Sequence, residues 1–231
     1  MRRATVWVWV SVALAGCGGG ESSADSGPEG PAVEAVSFAP RERFVEVERM
    51  LLDAAAVEMD FEVAAEGAIE VALTGRLVVD ADGRASLRAE GVFAGAPTDV
   101  MLSADAEEMR YGATAAPTEG PALPALREAL LVGLTRMGVL HNIARLTAGL
   151  SPDHADGGVS EWVVVDAFAE ADPDSGAVAV AFDLTVAGEP SGSATLALDG
   201  EGHPLVRRQT VAFPDGEMRV TERYSAVRVV H

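Results

Sequence analysis

Few side chains in this sequence have the types and spacing that catalysis or metal binding requires. Asp153, His154 and Asp156 carry metal-binding groups, but three ligands packed into four residues, with no distant partner, give a weak metal signal. The chain contains no His-Glu-x-x-His or Gly-x-Ser-x-Gly motif, and without any lysine it cannot contain Ser-x-x-Lys. The other histidines are His141, His203 and His231. The sequence therefore predicts no enzyme activity, no metal and no cofactor.

The single cysteine, Cys17, ends a segment with the features of an export signal. Two arginines precede ten mostly apolar residues, 4–13, a stretch shorter than the roughly 20 residues that span a bilayer. Residues 14–17, Leu-Ala-Gly-Cys, match the lipobox and resemble bacterial lipoproteins. That resemblance implies a signal peptide over residues 1–16, cleavage before Cys17, and acylation of Cys17 with chains such as palmitate. The alternatives are an ordinary signal peptide with a chance cysteine and a twin-arginine signal.

The residues after Cys17 predict a flexible tether, and the lipoprotein resemblance implies that it lies on the periplasmic or outer side of a bacterial membrane. Residues 18–37 are mostly Gly, Ser, Pro, Asp and Glu, a composition typical of a coil that reaches on the order of 25 Å. We therefore divide the chain into a signal peptide (1–16), an acylated cysteine with its tether (17–37) and a folded domain (38–231). Gly18, rather than aspartate, follows the cysteine. By the enterobacterial sorting habit this favours the outer membrane.

Composition limits the partners of the domain. The formal net charge is −19, which argues against nucleic acid, because phosphate binding needs a basic face. The same charge argues against adsorption to anionic lipid. With 48% apolar residues, the chain can bury a sizeable core. The expected partners are a lipid or other hydrophobic small molecule, the membrane through the anchor, and an envelope protein of unknown identity.

The stretch 57–79 alternates apolar and polar side chains, with an apolar residue or glycine at every odd position. A period of two indicates β structure with one buried face. At about 3.3 Å per residue an unbroken strand would span roughly 76 Å, so a break is expected at residues 64–68. Only a loop with an odd number of residues, or one kinked strand, keeps the apolar face continuous. The stretch predicts the start of a large antiparallel sheet.

Helical spacing of apolar residues predicts one helix before the sheet and a helical region in its middle. The first covers residues 40–57, and Pro40 suits its first turn. The second covers residues 124–149, and its first part is apolar around more than half of the circumference, so this helix is buried on two sides or covers a cavity. The fold class is therefore α+β, with about nine antiparallel strands and covering helices. Further strands are predicted at 84–93, 100–102, 109–111, 161–168, 177–186, 193–198, 205–213 and 217–229.

This order of elements behind a lipobox resembles the LolA-like lipoprotein-carrier superfamily, and within it the LppX/LprG-type lipid-binding lipoproteins. The acidic–apolar alternation from Glu66 to Gly75, the hairpin ending at residues 109–111 (Met-Arg-Tyr) and the last two hairpins, 194–229, carry the resemblance. It implies a strongly curved antiparallel half-barrel with helices over its concave side and an apolar cavity for acyl chains. The chain departs from the family in having few aromatic residues, 5%.

We expect this cavity between the helical region and the sheet, because a one-sided sheet has a large apolar face and few helices are available to cover it. The leading hypothesis is a membrane-anchored, non-enzymatic binder of a lipid or other hydrophobic ligand. The alternative is a structural or interaction lipoprotein of the same fold with a filled core and no ligand. The side chains expected to line the cavity are Ile69, Val71, Leu73, Leu87, Val180, Phe182 and Leu184 from strands, and Leu130, Leu134 and Met137 from the helical region.

Overall fold

The computed structural model describes residues 39–152, 158–171, 178–213 and 216–231. The signal peptide, Cys17, the tether and the weak metal candidate at 153–156 lie outside the described residues. The helices are α1 (Pro40–Asp53), α2 (Leu126–Arg136), α3 (Val139–Thr147) and α4 (Val159–Trp162). The strands are β1 (Ala56–Gly67), β2 (Val71–Asp80), β3 (Ala85–Phe93), β4 (Ala96–Ala104), β5 (Glu108–Ala113), β6 (Thr118–Pro121), β7 (Val163–Glu170), β8 (Val178–Val186), β9 (Glu189–Leu198), β10 (Pro204–Phe213) and β11 (Gly216–Val230).

All of these strands form one antiparallel sheet in the order β6-β5-β4-β3-β2-β1-β11-β10-β9-β8-β7. Neighbours in sequence pair throughout β1–β6 and throughout β7–β11, and the last strand, β11, pairs with the first, β1. The edge strands β6 and β7 therefore lie at opposite ends of the sheet. The chain passes from one edge to the other through α2, α3 and α4, and this connection places the helices across one face. The predicted α+β fold class is confirmed.

The expectation that an odd number of residues connects the first two strands is also confirmed. Ala65 pairs with Val71, so an odd number of residues separates the paired positions and odd residues stay opposite odd ones. The core face of β1 is consequently continuous with that of β2. Gly75 shows how tightly this face is packed, since a Cβ there would lie 2.3 Å from the Cζ of Phe61 on the neighbouring strand. The glycine makes room for the ring.

Three predicted boundaries and the strand count were wrong. The sheet has eleven strands rather than about nine. The break in stretch 57–79 was expected at residues 64–68 but lies at 68–70, between β1 and β2, and the Pro/Gly-rich segment 114–121, interpreted as a crossing, contains β6. The first helix ends at Asp53 instead of continuing to residue 57, because Val57 already belongs to β1. The helical region divides into α2 and α3 at Gly138, whose φ of 83° a helix interior does not allow.

The turn predicted at residues 188–192 is shorter than expected. It consists of Ala187 and Gly188, both with positive φ, as a two-residue hairpin of this kind requires. Glu189 and Pro190 already belong to β9, where they pair with β8. The pairing of β9 with β10 extends only to Gly192. Pro190 is tolerated because its missing N–H faces no second neighbour at that end of the strand.

The helices form one layer over the apolar face of the sheet. α1 packs against α2 and against β7 and β8, whereas α3 packs against β4 and β5. α2 lies between α1, α3 and α4, and 8 of its 11 residues are buried. Among the described helices, none has the length and apolarity needed to cross a membrane.

Candidate ligand-binding site

The ten side chains expected to line a cavity lie in or against the core between helices and sheet. Eight of them are at most 5% exposed. Ile69, in the connection between β1 and β2, and Met137, at the end of α2, are partly buried and pack against the same core. The fully buried members are Val71, Leu73, Leu87, Leu130, Leu134, Val180, Phe182 and Leu184.

The strand members of this set form two groups on different parts of the sheet. Val180, Phe182 and Leu184 lie on β8, whereas the residues of β2 and β3 lie at least five strands away in the sheet order. Phe182 packs edge-on against Phe44 of α1, with ring centroids 4.8 Å apart. Residues of α2 were expected opposite this strand. α1 therefore contributes a side chain to the candidate site that the spacing of the apolar residues did not identify.

Two depressions of several hundred Å³ lie on strands of the central and β8–β10 parts of the sheet. Their volumes are about 670 and 550 Å³, and they share Glu66, Arg219 and Thr221. These three side chains belong to the strand positions that alternate with the buried ones, so the depressions open on the face opposite the helices. They border two of the expected lining residues, Leu73 and Phe182, but open on the other face of the sheet.

Between helices and sheet, protein side chains occupy the space in this conformation. A side chain beside a void wide enough for an acyl chain would keep much of its surface free of contact, whereas eight of the ten side chains are buried. Entry of a ligand between the two layers therefore requires the helices to move away from the sheet.

A buried pair of opposite charges lies under the junction of α2 and α3. Arg207 of β10 and Glu222 of β11 are each 0% exposed and stand opposite each other in the strand register. Arg207 donates from Nε to the carbonyl oxygen of Thr135 (3.2 Å) and from Nη2 to that of Arg136 (2.6 Å). These carbonyls belong to the last turn of α2, which has no further helical N–H groups to pair them.

Glu222 performs the complementary task at the start of α3. Its Oε2 accepts from the N–H of Val139 and its Oε1 from the N–H of Leu140, both at 2.9 Å. A carboxylate at a helix N-terminus satisfies unpaired N–H groups and interacts favourably with the helix dipole. Gly138 is required here, because a Cβ at this position would lie 2.4 Å from Glu222 Oε1.

A third charged residue connects this junction to α1. Arg136 forms a two-pronged ion pair with Glu48, with Nε to Oε1 and Nη2 to Oε2 both at 2.8 Å. Thr135 Oγ1 donates to the same carboxylate at 2.8 Å. We call Glu48, Arg136, Arg207, Glu222 and Tyr224 the polar clamp, since together they connect α1, α2 and α3 to β10 and β11.

Tyr224 completes the polar clamp from the same strand as Glu222. Its hydroxyl donates to Glu222 Oε2. Burial raises the pKa of the Tyr224 phenol well above its ordinary value, and the neighbouring Glu222 carboxylate raises this pKa further. Burial also lowers the pKa of the Arg207 guanidinium, which the negative charge of Glu222 opposes. The phenol therefore stays neutral and donating when an exposed tyrosine would ionise.

We predict that stability falls as the pH rises above about 10, the ordinary pKa of tyrosine. Above that value the unfolded chain releases the Tyr224 proton while the folded chain keeps it, so ionisation favours unfolding. Tyr224→Phe should be less stable than wild type at neutral pH, and this difference should shrink in alkali. Urea midpoints at about pH 8 and about pH 11 test this prediction. A difference that stays constant over this range would contradict it.

The polar clamp was missed in the sequence, although a signal was present. In β11, Val220, Glu222 and Tyr224 occupy alternate positions of the core face. In α1, Glu48 follows Val47 on the buried face that also holds Phe44 and Leu51. A carboxylate at an apolar position is costly to bury without partners, so each of these positions predicts a buried polar contact.

The polar clamp contains no metal-ligand cluster. Across the ranges that the structure describes, no group of three or more His, Cys, Asp or Glu side chains is placed to hold a metal ion. Each carboxylate of the clamp is already engaged by hydrogen-bond donors, namely Arg136 and Thr135 at Glu48, and backbone N–H groups and Tyr224 at Glu222. The arrangement therefore orients helices.

Comparisons with known proteins find similarity in structure only. No family model and no curated protein sequence matches the chain. A LolA superfamily protein from Nitrosomonas europaea is similar in structure, with 6% identity and a TM-score of 0.37 over 84% of this chain and 95% of the other. LprF from Mycobacterium bovis has 9% identity and a TM-score of 0.38, over 81% of this chain and 92% of LprF.

A putative outer membrane lipoprotein-sorting protein domain from Vibrio parahaemolyticus is also similar. It has 8% identity and a TM-score of 0.34, over 81% of this chain and 91% of that domain. Solved structures similar to this chain therefore include a LolA superfamily protein and a lipoprotein-sorting domain, at 6% and 8% identity. At TM-scores below 0.5, the similarity identifies no ligand for this chain.

Proposed function

We propose that the protein is a membrane-anchored bacterial lipoprotein, facing the periplasm or the cell exterior, that binds a lipid or another hydrophobic ligand between its helices and its sheet. The proposal rests on the composition of the interface between the helices and the sheet. Apolar side chains such as Leu130, Leu134 and Leu73 fill it, and the polar contacts of α2 and α3 with the strands are concentrated at their junction.

Such a contact can admit a hydrophobic ligand at low cost. Apolar contacts are non-directional, so an acyl chain can replace them without leaving a hydrogen-bonding group unpaired. The polar clamp, by contrast, fixes one end of α2 and of α3 to β10 and β11. The helices would therefore separate from the sheet away from the clamp, and the ligand would occupy the space between them. Binding is the whole of the proposed activity, with no catalytic step.

Native mass spectrometry of the full-length protein, extracted gently from membranes, tests ligand binding. We expect a population of the protein with a bound lipid, and displacement of a fluorescent fatty acid by that lipid in solution. Protein that carries no lipid and binds no fatty-acid probe would contradict the proposal.

One observation favours a second function. Eight of the ten expected lining side chains are buried, as in a core that holds no ligand. A structural or interaction lipoprotein of the same fold would have this arrangement permanently. The same mass-spectrometry experiment separates the two functions, because only the binder should carry a lipid that exchanges with added fatty acid.

The anchor is tested at Cys17, which lies outside the described residues. Cys17→Ala removes the thiol that the lipobox resemblance assigns to acylation, so the variant should be an uncleaved precursor or a soluble protein. Metabolic labelling with a fatty-acid analogue should mark wild type and the control Gly18→Ala, which keeps the cysteine, but not Cys17→Ala. Equal labelling of wild type and Cys17→Ala would rule out the lipid anchor at this residue.

A further inference from the structure

Asn142 of α3 is a buried polar residue that the polar clamp does not use. It is 1% exposed, and its Oδ1 atom is fully enclosed with no hydrogen-bond partner among the described residues. The atom has no accessible surface at which a water molecule could bind it in this conformation. An enclosed acceptor without a donor destabilises a fold, so buried polar atoms nearly always have partners. Asn142 is therefore an exception that needs a physical reason.

The Asn142 amide lies against the backbone of α2 at Gly133. A Cβ on Gly133 would lie 3.3 Å from Asn142 Nδ2 and 3.6 Å from Oδ1. Residues three before and four after a helical position share its face, so Gly133 lies on the same stripe as Leu130 and Met137. Both of these residues belong to the expected ligand lining. The amide therefore lies between α2 and α3, beside the helix stripe that carries two of the expected lining residues.

A leucine at this position would match the surroundings better than asparagine. Asn142 has the same branched outline as leucine, and its neighbours on the same helix face, Val139 and Leu146, are apolar and at most 1% exposed. Packing alone would favour an apolar side chain, which leaves no acceptor unpaired. At Gly133, moreover, the amide faces the backbone of α2, because glycine has no side chain there. Together the two residues form a polar position between two otherwise apolar helix surfaces.

We infer that Asn142 makes the proposed ligand site selective for a hydrophobic molecule that carries a hydroxyl group. This inference rests on the proposed function. When α2 and α3 admit the ligand, the Asn142 amide hydrogen-bonds to that hydroxyl. A hydroxyl both donates and accepts, so it pairs with either end of the amide. A ligand with the same acyl chain but no donor leaves the Oδ1 acceptor unpaired, and the site therefore discriminates against it.

Two probes with the same acyl chain test the inference on the full-length protein. Monopalmitoylglycerol carries hydroxyl groups and methyl palmitate carries none, and each competes with a fluorescent fatty acid. Wild type should prefer monopalmitoylglycerol by about tenfold, roughly the value of one hydrogen bond that is made in one complex and missing in the other. In Asn142→Leu the preference should fall to about onefold. A preference that is unchanged in Asn142→Leu would overturn the inference while leaving the proposed function intact.

Two further variants complete the test. Ile143→Leu changes a neighbouring buried side chain of α3 without removing a polar group, and it should keep the wild-type preference. Gly133→Ala brings a methyl group against the amide from α2, so it should reduce the preference with Asn142 still in place. If Gly133→Ala keeps the full preference, the inference is wrong. If wild type binds neither of the two competitors nor the fluorescent fatty acid, the proposed function fails as well.

Discussion

Glu222→Gln should lower the free energy of unfolding by at least about 1–3 kcal/mol, because it removes the buried negative charge that stabilises the charged form of the Arg207 guanidinium. Arg207 is 0% exposed and cannot reach water without moving α2. The new amide also places an N–H₂ donor where Glu222 now accepts from the N–H groups of Val139 and Leu140. One of these groups would lose its acceptor, which adds to the cost.

Urea denaturation at neutral pH measures this loss, and Glu66→Gln provides a matched control. Glu66 pairs with Arg219 at 3.2 Å across β1 and β11, but the side chains are 73% and 65% exposed. An exposed pair of this kind contributes at most about 1 kcal/mol. The same chemical change in the same sheet should therefore have a small effect outside the core. A loss below about 1 kcal/mol for Glu222→Gln would show that Arg207 does not depend on Glu222.

A double variant, Arg207→Met with Glu222→Leu, separates the charge from the hydrogen bonds. Removing both charges relieves the unpaired guanidinium, so the double variant should be more stable than Glu222→Gln. It should not recover wild-type stability fully, because the carbonyls of Thr135 and Arg136 and the N–H groups of Val139 and Leu140 lose their partners. The remaining deficit measures how much the polar clamp contributes by completing the two helix ends.

The sheet could be predicted from the sequence because its signals are local. The alternation of apolar and polar residues over 57–79 indicates which side chains face the core. Because the apolar residues stand at odd positions, an odd number of residues must separate paired positions such as Ala65 and Val71. The five strands after the helices were found for the same reason. β6 and the Ala187-Gly188 turn were missed because proline and glycine residues are typical of loops. Pro190, just after the turn, is one example. Whether Pro190 can lie in a strand depends on where β10 ends, which is a property of the folded sheet.

The polar clamp could not be assembled from the sequence, because its members meet only through long-range pairing. Glu222 is 83 residues from Val139 and 82 from Leu140, and Glu48 is 88 from Arg136. Alternation can show that a carboxylate occupies a core position, but the partner follows from the order of strands and the path of the helices. For the candidate site, the sequence likewise predicted which side chains are buried, while their packing against each other depends on the complete fold.

Leu134→Trp should lower the free energy of unfolding by about 1–3 kcal/mol or more and abolish binding of a fluorescent fatty acid. Leu134 is 1% exposed at the middle of the helical layer, so the closed conformation has no space for the larger indole ring. The ring would push α2 away from its neighbours, which costs stability. It would also occupy the space that opens for a ligand when the helices separate from the sheet.

Leu134→Met is the control, because it conserves the volume of the side chain and should cost less than about 1.5 kcal/mol while keeping ligand binding. The pattern of results distinguishes three states of the site. A tryptophan variant as stable as wild type would mean that a void exists beside Leu134. A destabilised tryptophan variant and a methionine variant that binds the probe would support a closed layer that opens for its ligand. If wild type and both variants bind no probe, the layer is a permanent core, because a site that opens for a ligand must bind it at least when Leu134 is unchanged.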